Sequence, residues 1–274
     1  MEEQKERIER KVGKTKVKTY IHNFIAYKEL LKELVQRDIR IKYRRSFLGM
    51  LWSVLNPLGM MIIMTLVFSH VFRAGIDNFP VYLMCGQVIF NFFNEATTMA
   101  MQSILGNAPL IRKVYLPKYL FPMSKVCSCF VNLLTSCIAL ALVVVVTRTP
   151  LTWKLVLFVF PILYVFLFSL GIGILLSAVV VTFRDLQHLY GVIITGLTYL
   201  TPIFYPIEIL PGWVKTLVEM NPLTSFVEMF RDAVLYGVVP GMDLHIRCIA
   251  ACVVALVLGI WSFIKQQDTF ILKV

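Results

Sequence analysis

The chain has 274 residues, of which 58% are hydrophobic and 16% are charged, and its formal net charge is +11. Soluble domains carry about 25% charged residues, so a soluble protein of this composition would expose large apolar patches. The composition therefore predicts an integral membrane protein. It does not indicate a nucleic-acid-binding protein, because 14 of the 27 Lys and Arg residues lie within residues 1–46 and most others fall in short gaps between apolar runs.

Two segments precede the first apolar run. Residues 1–21 are charged and contain few apolar side chains, which predicts a cytoplasmic tail. Residues 22–45 place apolar side chains on one arc at helical spacing and charged side chains on the opposite arc. This pattern predicts an N-terminal amphipathic helix in the membrane interface, and an ordinary packed surface helix is the alternative.

Six apolar runs follow, and a transmembrane helix needs about 20 largely apolar residues. The predicted spans are residues 51–72, 79–101, 120–146, 153–181, 189–205 and 246–264. They predict an all-α integral membrane protein with six transmembrane helices. Residues 22–274 then form a single transmembrane domain.

The basic residues between the spans predict how the chain is oriented. If the N-terminus lies inside, the inner segments contain 21 of the 27 Lys and Arg residues. Cytoplasmic loops of membrane proteins carry an excess of these residues. The distribution therefore predicts a multi-pass protein with both termini in the cytoplasm.

Two of the gaps between spans are unlike simple loops. Residues 107–122 are basic, lie on the inner side and contain three prolines, which predicts a short cytoplasmic helix at Leu110–Leu116. Residues 206–243 lie on the outer side and carry too many charges for a span. They predict two short re-entrant helices, separated at Asn221 and Pro222, that dip into the outer interface.

The sequence lacks the motifs of several common catalytic and binding sites. It contains no GxxxxGK[ST] phosphate loop and no HExxH or GxSxG motif, and its six cysteines have no metal-ligand spacing. The sequence therefore predicts a chain with no catalytic residues, no metal site and no ATP site of its own.

The second predicted span is the most polar of the six. It contains an ionisable residue, Glu95, beside Asn94, and Phe90 and Phe93 alternate with these polar groups. An ionisable group in a span is expected to face the bundle interior or a water-filled path. Amides beside aromatic rings also suit the hydroxyls and ring faces of sugars. A transport path and a structural contact between helices both remain possible interpretations.

Five blocks of sequence resemble one family in the same order. They are RDIRIKYRRSFLGMLWSVLNPLGMMI (Arg37–Ile62), FPVYLMCGQVIFNFFNEA (Phe79–Ala96), LIRKVYLPKYLFP (Leu110–Pro122), TPIFYP (Thr201–Pro206) and NPLTSFVEMFRDAVLYG (Asn221–Gly237). The chain resembles the permeases of the O-antigen, capsule and teichoic acid export family of ABC transporters. The resemblance extends from about residue 22 to the C-terminus.

The resemblance implies a homodimer that works with two copies of a separate ATPase subunit, which holds ATP and Mg. The family moves a polyprenyl-linked glycan or polyol-phosphate polymer from the cytoplasm across the bacterial inner or plasma membrane. The short cytoplasmic helix would dock on the ATPase through Leu110, Ile111, Arg112, Lys113, Val114 and Tyr115. An ABC permease that exports drugs or small lipids is the alternative function.

The charge, polarity and placement of two groups of residues predict a role for them in substrate contact. Lys42, Arg44 and Arg45 would meet the pyrophosphate of the lipid carrier through charge-assisted hydrogen bonds. Attraction to anionic membrane lipids is the alternative role for these cations. The candidate residues for the polymer path are Phe90, Phe93, Asn94, Glu95, Tyr199 and Tyr205.

Overall fold

The computed structural model describes residues 27–44, 48–71, 76, 78–113, 116–150, 152–267 and 270, without the side chains of residues 69–71. The predicted tail at residues 1–21 lies outside the described residues. So do residues 22–26 and Arg45 of the predicted amphipathic helix.

Every regular element of the described residues is helical, so the predicted all-α fold is confirmed. The α-helices are α1 (Lys28–Tyr43), α2 (Trp52–Val71), α3 (Phe79–Gly106), α4 (Ala108–Lys113), α5 (Leu120–Val146), α6 (Val159–Thr182), α7 (Leu186–Leu200), α8 (Gly212–Met220), α9 (Pro222–Arg231) and α10 (Met242–Gln266). Short 3₁₀ helices lie at Gly49–Leu51, Trp153–Phe158 and Ile207–Ile209, and a π-helical turn at Asp232–Tyr236 follows α9.

Four of the predicted spans are both long and apolar enough to cross a membrane. They are Gly49–Phe68, Leu120–Val146, Trp153–Thr182 and Met242–Gln266. The helix α3 has 28 residues, but its amides and Glu95 lower its mean hydropathy. The helix α7 has 15 residues, fewer than the roughly 20 needed to span a membrane. Six crossings therefore stay a prediction.

The core of the described structure is built around α3. This helix is buried along most of its length and packs against α5 and α6. The helices α6 and α10 approach so closely that a Cβ atom at Gly171 or Gly259 would collide with the backbone of the other helix. Small residues permit such contacts between helices in membrane proteins.

Two predicted helices have different bounds in the structure. The carbonyl of Asn107 accepts hydrogen bonds from the amides of Leu110 and Ile111, so α4 begins at Ala108, two residues before the prediction. The predicted end at Leu116 is wrong. Leu116 is not helical, because the residue before a proline is disfavoured in the α conformation.

The helix in the fifth predicted span, residues 189–205, also has different bounds. The structure begins α7 at Leu186 and ends it at Leu200. Thr201 is extended, with ψ 129°, because Pro202 follows it. Residues 201–206 therefore leave the helix and turn back into the protein.

The segment at residues 206–243 contains two short helices, α8 and α9, where two were predicted. Asn221 caps α9, since its side chain accepts a hydrogen bond of 3.1 Å from the amide of Leu223, and Pro222 occupies the first helical position. The π-helical turn after α9 ends at Gly237, whose φ of +56° favours glycine. That these helices re-enter the membrane, and that α1 lies in its interface, stay predictions.

Candidate transport site

The helix α1 packs against α5 and encloses a cavity with α3, α5 and the beginning of α7. The volume of this cavity is about 870 Å³. Its walls carry three cations and two carboxylates: Arg37, Lys42, Lys125, Asp38 and Glu95. We call it the α1 cavity. Most of the residues that line it are polar or charged.

A buried carboxylate connects α1 to α5. The side chain of Asp38 is 3% exposed, and its Oδ1 lies 2.9 Å from Nζ of Lys125 and 3.2 Å from Nη2 of Arg37. A buried carboxylate is costly unless it is paired and hydrogen-bonded. The pair with Lys125 therefore connects α1 to α5, whereas Arg37 belongs to α1 itself and adds a second cation beside the carboxylate.

Arg37 also connects α1 to the junction between α3 and α4. Its Nη2 donates a hydrogen bond of 3.3 Å to Oδ1 of Asn107. The amide group of Asn107 donates in turn to the carbonyl of Ser103 at 2.7 Å. Because Asn107 directly precedes α4 and lines the α1 cavity, these bonds connect the beginning of the short helix to the wall of the cavity.

A second network joins α1, α3 and α5 on the other side of the cavity. Lys42 and Glu95 form an ion pair of 2.5 Å. The amide group of Asn132 donates to Glu95 at 3.1 Å and accepts from the hydroxyl of Tyr43 at 2.9 Å. Burial lowers the pKa of Lys42, but the hydrogen bond and negative charge of Glu95 raise it by more, so the net shift is upward. Lys42 therefore remains a cation.

The structure places the six candidate path residues in four different environments. Glu95 lines the α1 cavity. Phe90 and Phe93 are buried in the core, where Phe93 stacks on Phe168 with ring centroids 5.6 Å apart. Asn94 accepts a hydrogen bond from its own helix.

The remaining two, Tyr199 and Tyr205, lie beside each other, and the hydroxyl of Tyr205 donates to the carbonyl of Tyr199 at 2.5 Å. Tyr205 also accepts a hydrogen bond from Tyr82 on α3. Tyr82 is 13 residues from Glu95 in α3, or about 20 Å at the helical rise. The structure therefore does not bring the tyrosines to the α1 cavity, and the continuous path stays a prediction.

The candidate carrier and coupling residues are partly described. Lys42 is paired with Glu95, Arg44 is exposed at the end of α1, and Arg45 lies outside the described residues. In α4, Ile111 is buried and Leu110 is half-buried, whereas Arg112 and Lys113 are exposed. Val114 and Tyr115 lie outside the described residues.

The opposite end of α3 holds a buried cation, Arg231, at the end of α9. Arg231 is 4% exposed. Its Nη2 donates to the carbonyls of Tyr82 and Ile203 at 3.2 Å each, and its guanidinium carbon lies 3.4 Å from the centre of the Tyr82 ring. A Cβ atom at Gly86 would lie 3.1 Å from Nη2, so the glycine leaves room for the guanidinium. We call this cluster the Arg231 joint.

The sequence model of the family described as "ABC-2 type transporter" matches residues 29–235. The chain belongs to the ABC-2 type transporter family. The match begins within α1 and ends just after the Arg231 joint, so it includes both sites of this permease. The family resemblance found in the sequence is confirmed.

Three relatives of the permease show how far the similarity extends. It is 32% identical over 219 residues to the O-antigen export system permease protein RfbA of Myxococcus xanthus, covering 79% of this chain and 84% of the relative. It is 24% identical over 228 residues (78% and 84%) to the polysialic acid transport protein KpsM of Escherichia coli. It is 22% identical over 225 residues (78% and 82%) to the capsule polysaccharide export inner-membrane protein CtrC of Neisseria meningitidis serogroup A.

Sequence reasoning identified Glu95 but missed several residues of the permease that surround it. Asp38 precedes Lys42 by four residues, so the two share a face of α1. Asn132 interrupts the apolar run of α5, which is a signal for a polar contact inside the bundle. Lys125 gave no such signal, because a basic residue near the cytoplasmic end of a span is ordinary, and Arg231 was one of several charged residues in the outer segment.

Proposed function

We propose that this chain is the membrane-spanning subunit of an ATP-driven exporter that moves a lipid-linked polysaccharide from the cytoplasm across the bacterial inner membrane. The observation that carries the proposal is the similarity, over more than three quarters of the chain, to permeases named for O-antigen, polysialic acid and capsule polysaccharide export. It favours a polysaccharide over the drugs or small lipids of the alternative function.

We infer that the permease crosses the membrane six times, with both termini in the cytoplasm, and acts as a homodimer. The large apolar surfaces that two helices leave exposed support the inference of a homodimer. The Gly49–Phe68 segment has no buried residue, and most of α7 is exposed, with Val192 at 70% and Tyr199 at 69%. A second copy that packs against α2 and α7 would cover part of this surface.

We assign the first contact with the polymer's carrier to the α1 cavity. Its cations outnumber its carboxylates by one, which suits an anionic, hydrated head group better than an apolar drug. A phosphate group forms strong charge-assisted hydrogen bonds with Lys and Arg. In this mechanism the carrier's pyrophosphate competes with Glu95 for Lys42, and Arg44 at the end of the same helix adds a second cation.

The energy for transport comes from two copies of an ATPase subunit that bind ATP and Mg. We assign their docking site to α4, whose Arg112 and Lys113 are exposed. Binding shifts a conformational equilibrium only when its contacts differ between the two states. The bond from Asn107 to Arg37 provides such a difference, since a shift of α4 changes how α1 closes the cavity.

Depletion of the protein in its host tests the proposal, with cells complemented by the wild-type gene as the control. Lipid-linked glycans are extracted from the inner membrane, and surface polysaccharide is measured in the same cells. We expect a polyprenyl-linked polymer to accumulate on the cytoplasmic side while the surface polymer disappears. Unchanged surface glycans together with altered sensitivity to drugs or lipids would instead support the alternative function.

A further inference from the structure

A second cavity lies at the end of α5 that is remote from the α1 cavity. Its volume is about 280 Å³. One wall is the last part of α5, from Cys137 to Val145, and the others are Leu155, Phe158, Phe230 and Val234. Lys125 and Val145 are 20 residues apart in α5, or about 30 Å. The two cavities therefore lie on opposite sides of the predicted membrane.

The lining of this cavity suits a hydrocarbon chain. Except for the thiol of Cys137, every lining side chain is aliphatic or aromatic. The neighbouring surface of α5 is apolar and open, with Val145 66% and Ile138 57% exposed. In a membrane protein such a surface faces lipid, so an acyl chain reaches the cavity without leaving the bilayer.

Two cations lie close in sequence to the lining residues of the cavity. Arg148 follows Val145 by three residues, just after the last turn of α5, and Lys154 directly precedes Leu155. The chain folds back over the end of the helix, since the amides of Arg148 and Thr149 donate to the carbonyls of Val145 and Val144. Trp153, which is 75% exposed, suits the level of the lipid head groups.

These two cations differ from the other described cations on the same predicted side. Lys215 pairs with Glu219, Arg247 pairs with Asp243, and Arg231 is held by carbonyls. Within the part of the chain that the structure describes, neither Arg148 nor Lys154 has a carboxylate within ion-pair distance. Lys and Arg are usually more frequent at the cytoplasmic ends of spans. Two such cations at the outer ends are therefore expected to have an anionic partner nearby.

We propose that this cavity binds one anionic phospholipid from the leaflet opposite α1. One acyl chain fills the apolar cavity, and the phosphate group lies between Arg148 and Lys154. The bound lipid connects α5 to Trp153–Phe158 and to the π-helical turn after α9. The proposal depends on insertion in a membrane and not on the identity of the exported polymer.

A simpler role for Arg148 makes a different prediction. A cation at the C-terminus of a helix is favoured by the helix dipole, and this effect requires no lipid. In that case the loss of Arg148 lowers stability equally in every lipid. A bound phospholipid instead makes the effect of both cations depend on the head group.

Native mass spectrometry of the full chain, released from bilayers of equal parts phosphatidylglycerol and phosphatidylcholine, tests the proposal. Two cations near the phosphate are expected to favour retained phosphatidylglycerol about thirtyfold. The double variant Arg148→Gln with Lys154→Gln is expected to retain the two lipids equally. Ala141→Phe, which fills the cavity, is expected to retain neither, and the smaller Ala141→Leu is tested beside it in case the Phe variant does not fold.

The matched control variants remove two cations, or add one aromatic ring, at positions outside the proposed lipid site. The double variant Lys215→Gln with Arg247→Gln, and Leu134→Phe on an exposed part of α5, are expected to behave as the wild type. Equal retention by the wild type and the cavity-filling variants overturns the proposal, as does a wild type that does not distinguish the two lipids. A polyprenyl lipid retained from host membranes in place of phospholipid also overturns it and assigns the cavity to the cargo.

Discussion

The two ends of α3 hold their charges in different ways. At the α1 cavity, Lys42 and Glu95 face each other across two helices, with side chains 41% and 32% exposed. At the other end Arg231 is buried, and main-chain carbonyls and an aromatic ring hold it in place of a carboxylate. In the first arrangement, water or an anionic ligand can readily replace one partner of the ion pair. The second has carbonyl partners fixed by the backbone.

This difference indicates which part of the permease moves. An ion pair that borders a cavity is worth little and separates easily, whereas removing one partner from a buried charged cluster costs several kcal/mol. We therefore expect the end of α1 that carries Lys42 to shift during transport while the Arg231 joint keeps α9 and residues 201–206 fixed on α3. Three substitution experiments test this contrast.

The largest effect is expected for Arg231→Met. The change removes the donors to the carbonyls of Tyr82 and Ile203 and the contact with the Tyr82 ring, and we expect a loss of about 3 kcal/mol in the free energy of unfolding. Arg231→Lys should recover only part of this, because a single ammonium cannot reproduce the planar fork of donors. Thermal unfolding in detergent, followed by labelling of the buried cysteines, measures both.

Arg247→Met, which changes an exposed cation on the same predicted side, is the control for this experiment. If Arg231→Met unfolds at the wild-type temperature, the joint does not stabilise the outer end and the contrast fails.

An intermediate effect is expected at the buried carboxylate of the α1 cavity. Asp38→Ala leaves Arg37 and Lys125 close together without their anion, and we expect a loss of about 2 kcal/mol. The exchange Asp38→Lys with Lys125→Asp restores one pair and should recover about half of it. Thermal unfolding of the two single variants and the double variant gives the coupling energy between the positions. A coupling energy near zero would mean that this pair does not hold α1 on α5.

The smallest effect on stability is expected for Lys42 and Glu95. Because both side chains are partly exposed, the exchange Lys42→Glu with Glu95→Lys should change the free energy of unfolding by less than about 1 kcal/mol. Export should nevertheless fall severalfold, since the cation leaves α1, the helix assigned to the carrier. Surface polysaccharide and thermal unfolding are measured in the same strains. Full export by the exchanged variant would remove Lys42 from the proposed mechanism.

The sequence predicted the features that depend on local chemistry. Long apolar runs predicted α5, α6 and α10, and the pair Asn221 and Pro222 predicted where the outer segment divides into two helices. The isolated carboxylate of Glu95 predicted a polar site on α3. Each of these signals lies within a few residues of the feature that it specifies.

The features that could not be predicted from the sequence depend on contacts between segments that are far apart in the chain. Asp38 meets Lys125, 87 residues later, and Arg231 meets Tyr82, 149 residues earlier. Periodicity gives the face of a helix but not the rotation and depth at which another helix packs against it. For the same reason Phe90 and Phe93, which resemble path residues in the sequence, are buried in the core.

The contact between Gly171 and Gly259 has a mechanical consequence. Where two backbones touch without intervening side chains, neither helix can slide or tilt without a collision, so α6 and α10 behave as one rigid body. Conformational change is then confined to elements that pack more loosely, such as α1, α2 and α7. Amide hydrogens in the contact region of α6 and α10 should accordingly exchange with solvent last. A single bulky residue at either glycine would push the two helices apart.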